Sequence, residues 1–231
     1  MKKRILGLAL CASVILGGAS CLKDDGTEYE YDTLAMVTIW PETDSFKLQL
    51  NDSTVLRPTN VSASPYGDKV VRAYAGYTET DETPTVTKSG EEILTKHIKL
   101  SWVDSILTKK PVQTLGDKDD DTYGTAPIEI LNAWSTVAED GFLTLNIRTI
   151  SGAPGTTHYI NLVTGADPDD PFVLTLRHKC DTAYSTMMSD GILAFNLNDL
   201  PHTSDEVTVK LTWTSFTGTK TEEFKLKMHR E

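Results

Sequence analysis

The sequence predicts an all-β protein whose second half is an antiparallel β-sandwich and whose first half is a small barrel or sandwich. Three observations predict it. Apolar residues recur with period two in short runs, as on strands with one buried face. The runs are punctuated by Gly, Pro, Asn and Asp at short spacing. No amphipathic helical pattern of ordinary length occurs.

After a polar, acidic stretch over residues 22–34, read as a flexible tether, "MVTIW" (Met36 to Trp40) and "FKLQL" (Phe46 to Leu50) alternate as strands. The turn at Asn51 to Ser53 leads into "TVLRP", a hairpin signature that Pro58 ends. "VVRAYAGYTET" (Val70 to Thr80) is β-branched and aromatic, and the loop after it is marked by Pro84 and Gly90. "HIKLSWVDSIL" (His97 to Leu107) alternates again and places Trp102 with Leu100. About five strands in about 80 residues suit a small barrel or sandwich. The acidic, glycine-containing stretch Gly116 to Thr125 has no apolar period and is the candidate for a domain boundary or a long exposed loop, and Pro127 to Trp134 reads as a strand that fits with either side of the division.

The second half is cleaner. In "GFLTLNIRTI", Leu143, Leu145 and Ile147 share one face, and Thr144, Asn146 and Arg148 the other. "THYINLVTG", "DDPFVLTLRHKC", "GILAFNL", "EVTVKLTWTSF" and "TEEFKLKMH" follow between turn residues, and "DTAYSTMMSD" has room for a short helical turn.

The N-terminus carries an address. Lys2, Lys3 and Arg4 precede an apolar run of about 14 residues, the layout of a secretory signal and shorter than the ~20 residues of a membrane span. "GGASC" then resembles the bacterial lipobox, with Cys21 as the lipidated residue and mature N-terminus. Lys23, Asp24 and Asp25 in "CLKDDG" resemble the export signal of Bacteroidota surface lipoproteins. The expected protein is lipid-anchored in the outer membrane and faces the cell exterior. Acyl chains contribute about 0.8 kcal/mol per buried CH₂, and two or more chains hold stably.

The chain has 22 basic and 33 acidic residues, and loss of Lys2, Lys3 and Arg4 with the signal leaves 19 against 33, a net of −14. Such a surface repels phosphate backbones, so nucleic acid is not an expected partner. Of the cysteines Cys11, Cys21 and Cys180, Cys11 leaves with the signal and Cys21 takes lipid. Cys180 shares a face with Leu174, Leu176 and His178 and reads as a small buried hydrophobe.

"AEDGFLTLNIRTISG", "HYINLV", "FVLTLRHK" and "GILAFNLNDLP", in this order and spacing, resemble the C-terminal domain of the NigD-like lipoproteins of Bacteroidota. "FKLQLNDSTVLRP", "VVRAYAGYT" and "IKLSWVDSILTK" are similar to that family's N-terminal OB-like domain. The resemblance implies an OB-like barrel followed by a β-sandwich, and a family named from a bacteriocin gene neighbourhood. It carries no catalytic residues. The implied division is a signal peptide over 1–20, a tether over 21–34, a barrel over 35–121 and a sandwich over 122–231.

The residues assemble no recognisable catalytic set. His158 and His178 fall on neighbouring strands facing one core, with Cys180 as the nearest third ligand, expected deep in that core. Two core histidines with satisfied hydrogen bonds is the reading taken, and no metal or other cofactor is expected. There is no G-x-S-x-G elbow. Asp117 to Asp121 resembles a calcium loop in composition only, without the required Gly and Glu, and reads as a solvated loop. Trp102 and Trp213 share faces with leucines and read as core, whereas Trp40 and Trp134 end strands and read as the exposed rings. The expected role is non-catalytic recognition or envelope support, with an envelope protein, a bacteriocin-related protein or a glycan as partner. A hydrolase with a site not visible in sequence is the alternative.

Overall fold

The computed structural model describes residues 31–86, 92–152, 156–180 and 187–229. The lipobox, Cys21, Lys23, Asp24 and Asp25 lie outside the described residues, as do the loop around Gly90 and residues 181–186, part of the expected helical turn.

Strands β1 (Thr33–Pro41), β2 (Phe46–Asn51), β3 (Thr54–Pro58), β4 (Val71–Val86) and β5 (Glu92–Ser105) close a barrel in the order β1-β2-β3-β5-β4. The barrel is OB-like: β3 and β5 pair in parallel, and the other neighbours are antiparallel. Its core is built by alternation. Val37 and Ile39 of β1, Leu48 of β2, Leu56 of β3, Ala73, Ala75 and Tyr77 of β4, and Ile98 of β5 are all essentially buried. Burying one such large side chain contributes about 1.5–3 kcal/mol.

One expectation fails inside the barrel. Trp102 does not follow Leu100 into the core. Gly76 pairs with Trp102 while Tyr77 pairs with Leu100, so β5 spends two residues against one step of β4. This bulge inverts the alternation. The Trp102 ring lies half-buried over Gly76 instead, edge-on to Tyr31 at 5.7 Å between centroids.

The stretch read as one strand to Leu107 breaks at the buried Ile106. Beyond it, β6 (Leu107–Lys109) and β7 (Val112–Gln113) pair with strands of the sandwich, although the expected barrel region runs to residue 121. A short 3-10 turn (Gly116–Lys118) and α1 (Asp119–Tyr123) follow where a solvated loop was expected. Asp119 is buried there, accepting bonds from Thr114 Oγ1 at 2.7 Å and the Leu115 amide at 2.6 Å.

The remaining strands are β8 (Glu129–Ile130), β9 (Val137–Glu139), β10 (Phe142–Ile150), β11 (Tyr159–Thr164), β12 (Val173–Lys179), β13 (Met188–Asn196), β14 (Glu206–Ser215) and β15 (Gly218–Lys227). One sheet runs β6-β13-β10-β8, with β9 also on β10, and the other runs β15-β14-β12-β11-β7. Three pairings are parallel, β6 with β13, β7 with β11 and β12 with β14, so the sandwich is mixed rather than purely antiparallel. Leu143, Leu145 and Phe195 of one sheet meet Leu162, Leu174, Val209, Leu211 and Trp213 of the other in a single core.

The barrel docks on the outer face of the first sheet. Phe142 and Ala194 on that face form a cluster with Met36 and Ile106, joined by Trp40, Val70, Tyr74, Val137 and Ile192. This explains why Thr144, on the face read as polar, is fully buried while Arg148, farther along the same strand, is exposed.

Candidate functional site

The candidate site is the open groove where barrel and sandwich meet. It grows from the outer faces of two barrel strands. On β1, Val37 and Ile39 point into the barrel, so Met36, Thr38 and Trp40 must face outward. On β4, Ala73 and Ala75 point inward, so Arg72 and Tyr74 face outward. Register pairs Met36 with Tyr74 and Thr38 with Arg72, setting this apolar and basic patch against the sandwich.

Arg72 has no solvent exposure. Its Nη1 donates to Thr38 Oγ1 at 2.8 Å and its Nη2 donates to Glu139 Oε1 at 2.5 Å, from barrel to sandwich. Burial pushes the Glu139 carboxyl up, and the adjacent Arg72 cation pulls against it.

The second link is aromatic. Asp140 sits between β9 and β10 at φ 53°, a left-handed conformation that Asp tolerates better than most residues. Trp40 Nε1 donates to its Oδ2 at 2.7 Å, and His229 Nδ1 lies 2.5 Å from its Oδ1. The His229 ring stacks on Trp40 with centroids 3.5 Å apart and planes 15° from parallel. Asn198 completes the joint: its Nδ2 donates to the Asp140 carbonyl at 3.3 Å and its Oδ1 accepts the His229 amide at 3.0 Å. Gly141 is required beside it, since φ is +75° and a Cβ would lie 1.9 Å from Asn198 Oδ1.

The groove floored by this joint has a volume of about 790 Å³. Lys47, Lys69 and Lys110 line it against Glu42 and Asp199, a positive balance on an acidic protein. Trp40, read as an exposed ring, is partly buried because it stacks on a residue 189 positions away in sequence. Trp134 is 58% exposed and lies edge-on to Tyr74. Trp213 is in the core. The Asp140–His229–Trp40 joint was missed by sequence reading. His229 carried no local signal, and only the fold brings it to the barrel.

The predicted histidine pair does come together. β11 and β12 pair antiparallel with Tyr159 opposite Lys179, and the next step places His158 opposite Cys180. His158 Nδ1 lies 2.9 Å from His178 Nε2. His178 is 1% exposed, and burial, with His158 adding to it, lowers its pKa against the raising effect of its contact with the Pro127 carbonyl. Cys180 is half-buried, not deep in the core, because it stands just past the end of β12. Among the described residues, no helix is long and apolar enough to cross a membrane.

Residues 110–226 match the family of the NigD-like C-terminal beta sandwich domain. A solved structure described as a toxin-related protein from Parabacteroides distasonis is 27% identical, with a TM-score of 0.66 over 84% of this chain and 93% of that one. A NigD-like immunity protein from Bacteroides caccae is 15% identical, with a TM-score of 0.51 over 87% and 99% of the two chains. A structure described as that of a lipoprotein from Bacteroides fragilis is 14% identical, with a TM-score of 0.52 over 84% and 97%. At these last two identities the likeness is one of fold. No curated protein matches the sequence.

Proposed function

The chain belongs to the NigD-like family, and on that premise we propose that it is an outer-membrane lipoprotein, anchored through Cys21 and displayed outside the cell, that recognises a protein partner in the groove between its two parts. The carrying observation is the joint. Arg72–Glu139 and Trp40–Asp140–His229 hold barrel and sandwich in one relation, so the groove is preformed and little ordering opposes binding. With Lys110 paired to Asp199 at 2.5 Å and Glu42 to Arg57 at 2.9 Å, Lys47 and Lys69 are the groove lysines that suit an acidic segment of an envelope or bacteriocin-related protein. The toxin-related description of the Parabacteroides distasonis structure supports the bacteriocin link.

The test uses a photo-crosslinking residue at Lys69 in the lipidated protein on intact cells. A discrete protein adduct is expected, together with its loss when Lys47 is reversed to Glu. Absence of any adduct from this position overturns the groove as the recognition site. Display is tested separately: replacing Lys23, Asp24 and Asp25 with Ala is expected to keep acylation and remove protease sensitivity on intact cells. A glycan reading has one observation in its favour, the exposed Trp134 ring beside Tyr74, a stacking platform. Binding of oligosaccharide lost in Trp134→Ala distinguishes it.

A further inference from the structure

Proton counting at the histidine pair exposes an unanswered demand. His158 Nε2 lies 3.1 Å from the Ser151 carbonyl oxygen, and His178 Nδ1 lies 3.2 Å from the Pro127 carbonyl oxygen. A carbonyl oxygen only accepts, so each of these outer nitrogens carries the proton. A neutral imidazole has one N–H. The inner nitrogens, His158 Nδ1 and His178 Nε2, therefore present lone pairs to each other across 2.9 Å. The rings are 12° from parallel with centroids 5.2 Å apart, so they meet edge to edge and neither can turn away without giving up its carbonyl. Two facing lone pairs repel unless a positive centre joins them.

The third neighbour says which centre. The donor atoms of His158, His178 and Cys180 all lie within 4.8 Å of one another. An extra proton would join the two nitrogens alone; a metal ion uses all three clustered atoms. Ligating histidines are held in orientation by donating the outer N–H to a carbonyl or carboxylate, as both do here. We propose that His158 Nδ1, His178 Nε2 and Cys180 Sγ form a binding site for a single zinc ion.

Two nitrogens and a thiolate are a ligand set of zinc. The thiol proton leaves to solvent as the Cys180 thiolate binds, so affinity rises with pH. Bonds of about 2.0–2.1 Å to each nitrogen open the pair from 2.9 Å to roughly 3.3 Å, a small outward turn of the half-buried His158. His158 and Cys180 are both partly exposed, which gives the ion its entry and leaves the fourth position to water. The site is remote from the groove in sequence and in its residues, and its existence does not depend on the recognition role.

The experiment titrates the purified full chain, kept reduced, with zinc and with cobalt. One ion per chain is expected, with a sulfur-to-cobalt charge-transfer band and the visible bands of a tetrahedral site. Zinc at a hundredfold excess over Kd is expected to raise Tm by about 5–10 °C, reversed by chelator. Cys180→Ser is expected to remove the charge-transfer band and weaken zinc binding at least about tenfold. His158→Ala, at the half-buried position, is expected to remove stoichiometric binding while leaving the metal-free Tm close to wild type. Absence of stoichiometric binding by the wild-type chain overturns the site, as does cobalt binding without the sulfur band or zinc binding unchanged in both variants. Those outcomes leave a shared proton as the centre between the rings.

Discussion

The fully buried guanidinium of Arg72, on a barrel strand, donates to Glu139 of the sandwich at 2.5 Å, and Thr38 at 2.8 Å holds it from the barrel side. A buried ion pair of this kind adds little net stability, because desolvation offsets most of the attraction, but breaking it from one side is costly. Glu139→Ala is expected to destabilise by about 3–5 kcal/mol, since it strands the Arg72 charge. The double variant Arg72→Met with Glu139→Ala is expected to recover most of that loss. Urea denaturation of the four members of the cycle measures both, and full additivity of the two single losses would contradict the coupling.

Asp140 does two things at once, holding a left-handed backbone and receiving Trp40 and His229 on its two carboxylate oxygens. Asp140→Ala loses both and is expected to cost about 3 kcal/mol. Asp140→Gly restores the backbone freedom and is expected to regain about 1 kcal/mol of it. Thermal melts of the pair separate the two contributions, and equal losses would show that the backbone conformation carries no strain.

Gly76 admits the Trp102 ring. A Cβ there would lie 2.3 Å from Trp102 Nε1. Gly76→Ala is expected to push the ring outward and cost about 1–2 kcal/mol, less than a core clash would, because Trp102 is half-buried and can swing. A red shift in tryptophan emission checks it.

Glu42 pairs with Arg57 at 2.9 Å, and the hydrogen bond from Arg57 brings its pKa down from 4.5 to about 2 against a smaller opposing effect of burial. A carboxylate with a depressed folded pKa contributes stability above its unfolded pKa and loses it on acidification. The contribution of this pair is therefore full above about pH 5 and fades as the pH falls from 4.5 to about 2. Both side chains are over a third exposed, so solvent screening holds its size to under about 1 kcal/mol. The Tm difference between wild type and Glu42→Gln is expected at pH 6, and to close over that acid range. A difference that widens on acidification would contradict the sign.

Much of the architecture was legible in the sequence, and the reason is period two. Val37, Ile39, Leu143, Leu145, Leu174 and Trp213 sit on the faces their alternation assigns. The misreadings share a cause: information that no local pattern holds. The bulge opposite Gly76 inverts Trp102, and Cys180 lies one residue past its strand. Thr144 lies on the polar face of its strand, and such a face is the ordinary mark of solvent, yet here the barrel covers it. The joint's members, Trp40, Asp140, Asn198 and His229, are spread over nearly the whole chain, so only closure of both units brings them together. The histidine pair was visible as two positions on adjacent strands, but the direction of each ring came only from Ser151 and Pro127.

β1 enters the described protein at Thr33 and ends at the groove with Trp40 and Pro41. It is paired with β4 from Thr33 to Ile39 and with β2 from Thr38 to Pro41. A pull between the N-terminal side of the chain and a molecule seated in the groove runs lengthwise down this strand. It loads the ladder hydrogen bonds in shear, all together, rather than peeling them one at a time. The Trp40–His229 stack and the Arg72–Glu139 bond then pass such a load to the sandwich, so it reaches both halves of the molecule through this one strand.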